Sequence, residues 1–161
     1  MLAPAVLFSQ VVVAIHVMFV VAAFGALIAY PVTLIAAERL DRRSVPLLHR
    51  VRKILGRSLV NPGMLIVVIA GVYLAFDLHE WSQFFVQWGL GAVIVIGALE
   101  GSYVIRHADQ LADLAQRDVD AAGGGQVQWS QEYLDARTRA DQINALLAVI
   151  VLVTVFLMVV Q

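Results

Sequence analysis

Four stretches of the chain are apolar at nearly every position, rather than at every second or every third to fourth one: residues 11–37, 59–76, 84–105 and 143–160. A helix with one face in water keeps a polar stripe, so unbroken apolarity predicts helices surrounded by hydrocarbon or by one another. Each stretch meets or comes close to the roughly 20 apolar residues that cross a hydrocarbon core about 30 Å thick. The first runs 27 residues without a formal charge. No basic residue precedes it and it is about twice the length of a secretory apolar region, so it reads as a retained helix rather than a signal peptide.

The connecting segments carry helical patterns of their own. In loop 38–57, Ser44 is placed to cap a helix with Pro46 in its first turn. Leu47, Leu48, Val51, Ile54 and Leu55 then fall on one face, with Arg50, Lys53 and Arg57 opposite. That pattern suits a helix lying on a membrane surface, where each basic residue near anionic lipid is worth about 1 kcal/mol. In segment 106–142, Leu111, Leu114, Ala115 and Val119 extend the stripe of the third stretch until Gly123, Gly124 and Gly125 stop it. Ser130 caps a second helix through Tyr133, Leu134, Arg137 and Ala140 into the fourth stretch. The expected fold is all-α, one domain over 1–161: an up-and-down bundle of four transmembrane helices, with a helical hairpin that extends spans three and four to a flexible glycine tip.

Composition narrows the classes. Hydrophobic residues make up 61% of the chain and charged ones 14%, against roughly 45–50% and about 25% in soluble domains. A net charge of −1 offers nothing to nucleic-acid phosphates. With no cysteine, thiolate metal sites, iron–sulfur clusters and thiol relays are excluded.

The charges also set an orientation. All 11 Lys and Arg lie in two segments, seven in 38–57 and four in 106–142. By the positive-inside rule both segments are cytoplasmic and both termini outside, as in a multi-pass protein of a bacterial inner membrane. Loop 38–57 nets +5 and segment 106–142 nets −3, so the two could attract each other, although exposed ion pairs contribute only about 0–1 kcal/mol. Trp81, Phe84, Phe85 and Trp88 gather at the outer start of span three as an interfacial aromatic belt.

Ionisable residues within spans are costly and therefore candidates for function. His16 lies roughly 9 Å below the outer surface, level with Gly71, Gly91 and Thr154. A neutral imidazole there is either an axial ligand for haem iron or a partner of Thr154 or a backbone carbonyl. Met158 is the nearest thing to a second ligand. Glu100 lies near the inner end of span three. Tyr30, Asn61, Asn144 and Tyr103 share its depth, and Arg57 and Arg106 reach it by snorkelling. This polar cluster serves either as a proton or cation site or as a structural ion pair. Gly97 and Gly101, with Gly25 and Ala29 on span one, permit close helix approach. Pro31 and Pro62 predict kinks or breaks near the inner ends of spans one and two.

The stretch His16 to Gly25 (HVMFVVAAFG), Pro31, the segment RKILGRSLVNPGM, Gly71 and WSQFFVQW together resemble a family of uncharacterised bacterial four-helix membrane proteins. That family is remotely similar to the haem-binding protoporphyrinogen oxidases of the bacterial membrane and to the copper-resistance D proteins. The likeness covers about residues 10–105. It implies a four-helix bundle with His16 as the ligand of a b-type haem. The oxidase relatives carry a lysine near the start of span three, where this chain reads Phe85, Val86, Gln87, Trp88, Gly89, so the resemblance does not extend to porphyrinogen oxidation.

Three functions follow as expectations. The first is a haem-binding inner-membrane protein for electron transfer or porphyrin handling. The second is a non-catalytic scaffold or accessory subunit, as a homodimer or within a larger membrane complex. The third is a small proton-coupled transporter using Glu100.

Overall fold

The computed structural model describes residues 4–160, with side chains from residue 8 onward. All regular elements among them are helical: α1 (Pro4–Leu40), α2 (Val45–Leu55), α3 (Asn61–Asp77), α4 (Phe84–Leu99), α5 (Ile105–Ala122) and α6 (Gln131–Val159). Four helical runs are long and apolar enough to cross a membrane: Phe8–Leu40, Arg42–Asp77, Phe84–Ala122 and Gln131–Val159. Their surfaces agree with that reading. Met18, Val21, Ile94 and Leu152 are all more than half exposed, an outward apolar face that water would not tolerate along a whole helix.

The runs are longer than a bilayer requires. The 39 residues of Phe84–Ala122 rise about 58 Å, close to twice the hydrocarbon thickness. The bundle therefore has an apolar part and a second part at the end that carries the basic loop. Two buried clusters match this division. Phe24, Leu27, Val60, Met64, Ile96 and Leu147 pack in the apolar part. Tyr30, Leu34, Val45, Leu111 and Tyr133 pack at the basic-loop end.

Two π-helical turns lie at the junction. Gly56–Val60 joins α2 to α3 and Glu100–Val104 joins α4 to α5. The first answers Pro62: a proline cannot donate within the helix and its ring crowds the preceding turn, so widening that turn keeps the run continuous. Pro62 thus marks a π turn rather than a break, and Pro31 sits inside the unbroken α1. The two turns face each other. A Cβ on Gly56 would lie 3.1 Å from Ile105 Cγ1 and 3.7 Å from Glu100 Oε1, so the missing side chain is what lets the helices approach here.

Helix α2 turns most of its apolar stripe outward. Val45, His49, Arg52 and Gly56 point inward, while Leu47, Val51, Ile54 and Leu55 are exposed. The polar residues share its inward face: His49 and Arg52 find buried partners, Leu48 packs partly buried against the same cluster, and Leu47, Ile54 and Leu55 remain outside. α2 packs closely on α5, held also by Lys53 to Asp109 and by Arg50 to Asp113 at 3.8 Å. The attraction between the two oppositely charged segments is therefore realised as packing.

The hairpin tip is likewise tied down. Arg43 Nη2 donates to the carbonyls of Gly123 (2.7 Å) and Gly125 (2.9 Å), and Arg42 Nη1 donates to that of Val127 (2.9 Å). Ser130 caps α6, its hydroxyl accepting from Tyr133 N, while Asp118 accepts from both Ser130 N and Oγ at 2.9 Å. Trp129 stacks near Tyr133, centroids 4.7 Å apart.

Candidate functional site

Two polar sites stand out, one in each part of the bundle. The first is His16 on α1. Its Nδ1 lies 3.0 Å from the carbonyl oxygen of Val67 on α3, and its ring rests against Gly71, where a Cβ would come within 3.1 Å of Cε1. A carbonyl only accepts, so Nδ1 carries the proton and Nε2 of the neutral ring keeps its lone pair. Metal-bound histidines characteristically show this arrangement, in which one ring nitrogen donates to a backbone carbonyl and the other ligates. The neutral ring thus keeps on Nε2 the lone pair that a metal ligand needs.

The other residues expected at that depth are engaged elsewhere. Thr154 accepts from Trp88 Nε1 (3.1 Å) and donates to the carbonyl of Ile150 (2.7 Å). Met158 rests its methyl against Gly89 of α4. Among the described residues no group of three or more histidine, cysteine, aspartate or glutamate side chains gathers as a metal site.

The second site lies at the junction of the two parts. Arg52 Nη2 donates to Asn144 Oδ1 (2.8 Å) and to both carboxylate oxygens of Glu100 (3.4 and 3.3 Å). Its guanidinium lies 4.4 Å from the centroid of the Tyr30 ring, a cation–π contact strengthened by burial. From there a second chain begins. Tyr30 Oη is 2.6 Å from His49 Nδ1, and His49 Nε2 is 3.0 Å from Tyr133 Oη. Glu100 and His49 are each 1% exposed and Tyr133 is fully buried. α1, α2, α6 and the π turn Glu100–Val104 thus each place a polar group in one interior.

His49 lies outside the apolar stretch 59–76, about 42 Å along the helical run from Asp77. Burial holds its pKa down at about 4, with Arg137 and Arg52 adding to the effect. It is therefore neutral near pH 7, with one nitrogen protonated and the other accepting. Both neighbours are tyrosines, which donate or accept equally well, so the chain can run in either direction by a change of tautomer.

Of the residues expected in the polar cluster, the fold brings Glu100, Tyr30 and Asn144 together around Arg52. Asn61 and Arg57 are exposed and stand outside it. Tyr103 stacks on His107 instead, centroids 4.0 Å apart. Arg52 occupies the place foreseen for Arg57, which lies within the π turn Gly56–Val60 and is exposed, whereas Arg52 is on the inward face of α2. His49 and Tyr133 were not foreseen. The signal for His49 was the spacing Val45, His49, Arg52, Gly56, a helical stripe that hydrophobicity alone passes over. Comparison with family models, with curated proteins and with solved structures finds no match to this chain.

Proposed function

We propose that this chain is a small multi-pass protein of a bacterial inner membrane that holds a b-type haem through His16, for electron transfer or porphyrin handling. The 11 to 0 division of basic residues supports placing the basic-loop end in the cytoplasm and both termini outside. The observation that carries the haem reading is the pairing of His16 Nδ1 with the Val67 carbonyl. It holds the ring in one tautomer, raises the basicity of Nε2 and keeps that nitrogen available. A haem bound there supplies one-electron iron chemistry. His16 would hold the group's iron through Nε2, while Val67 orients the ring and Gly71 leaves it room against α3. An absorption spectrum of protein purified from haem-replete cells tests the reading, with His16→Ala as the comparison.

A second reading, a scaffold or accessory subunit, is favoured by the basic-loop end itself. The Arg52–Glu100–Asn144 and Tyr30–His49–Tyr133 clusters tie α1, α2, α6 and the π turn Glu100–Val104 together at the junction and the basic-loop end. Leu47 and Ile54 on its outer face, with Arg57 beside them, suit contact with anionic lipid of the inner leaflet. Native-membrane purification with a bound partner complex supports this reading, and recovery of a lone monomer contradicts it.

A further inference from the structure

Residues of both polar clusters line a common cavity, and one buried atom of the lining residue Arg52 lacks a protein partner. Arg52 Nε is buried and has no hydrogen-bond acceptor, although Arg52 as a whole is only 6% exposed. A buried guanidinium N–H left unmade is costly, and such groups in folded proteins are as a rule satisfied by ordered water when protein supplies nothing. Arg52 lines a cavity of about 20 Å3 whose walls also include Tyr30, His49, Asn144, Ala108 and Ala140. A site for one water needs roughly 10–15 Å3 and two to four polar partners. Both conditions are met here.

We propose that this cavity binds a single ordered water, which accepts from Arg52 Nε and joins the Arg52–Glu100–Asn144 cluster to the Tyr30–His49–Tyr133 chain. The ligand class follows from the donor. Nε–H repels a cation. Arg52 is already matched by Glu100 at 3.3 Å, and Arg137, which also lines the cavity, by Glu38 and Asp141, so a further anion would be buried without compensation. The water has acceptors of its own within the same walls, in the second lone pair of Asn144 Oδ1 and in Tyr30 Oη. With it in place Glu100, Arg52, the water, Tyr30, His49 and Tyr133 form one hydrogen-bonded path through the junction.

The test is proton-detected solid-state magnetic resonance of arginine-labelled protein in lipid bilayers. Magnetisation transfer from water to the Arg52 Nε–H is expected, the resonance being assigned by its disappearance in Arg52→Lys. Ala140→Val, which fills the cavity, should abolish the transfer while the Arg52 resonances persist. Absence of transfer in the unsubstituted protein, or its survival in Ala140→Val, overturns the proposal. Should Ala140→Val fail to fold, a high-resolution experimental map decides on the unsubstituted protein alone. Density within hydrogen-bond distance of Nε supports the site, and a protein acceptor in that position rules it out.

Discussion

Tyr30 and His49, 19 residues apart in the chain, meet Oη to Nδ1 at 2.6 Å in a buried setting. The contact ties the basic-loop end of α1 to α2 and, through His49 Nε2 and Tyr133, to the start of α6. A single imidazole thereby holds three helices that approach one another from distant parts of the sequence.

Stability should depend on pH through that imidazole. Its folded pKa of about 4 lies below the ordinary 6.5, so between these values the unfolded chain takes up a proton that the folded chain refuses. The contribution is therefore complete above pH 6.5 and declines as pH falls toward 4. At 1.36 kcal/mol per pKa unit it amounts to about 3 kcal/mol at most. Thermal unfolding of detergent-solubilised protein across this range checks it. His49→Gln is expected to flatten the dependence, and an equally steep profile in that variant would assign it to other groups.

The Arg52–Glu100 pair should behave as a unit. Arg52→Leu leaves a carboxylate buried without its partner, a loss of about 3–5 kcal/mol. Adding Glu100→Leu to that variant removes the stranded charge and should recover a large part of the loss. A double-mutant cycle on apparent melting midpoints measures the coupling. Additive losses would mean that the two side chains do not depend on each other.

Arg43 should hold the glycine tip in place at little cost to global stability. Arg43→Ala removes two donors, to Gly123 O and Gly125 O, from an exposed site, for which about 1 kcal/mol or less is expected. The larger effect should be local. Limited proteolysis is expected to cut within residues 122–128 several times faster than in the unsubstituted protein, with the midpoint of unfolding nearly unchanged.

The helices were legible because membrane-length apolar runs need no periodicity to be recognised, and counting 1.5 Å per residue set His16 level with Gly71, against which its ring packs. The inward face of α2 was not. Its apolar stripe, with Leu47 and Ile54 exposed, says nothing of the polar side chains opposite, where His49 and Arg52 turn into the bundle. The choice depends on partners that local sequence does not contain: Glu100, 48 residues from Arg52, and Tyr133, 84 residues from His49. Likewise the tip Gly123 to Gly125 reads as loose until Arg43, 80 residues from Gly123, is placed beside it.

Haem binding through His16 is tested most directly by the absorption spectrum of protein purified from haem-replete membranes. A Soret band is expected in the unsubstituted protein. It should fall at least about tenfold in His16→Ala, since loss of the axial ligand removes a dominant contribution to haem affinity. A colourless unsubstituted protein, or a band of equal strength in His16→Ala, would contradict the assignment.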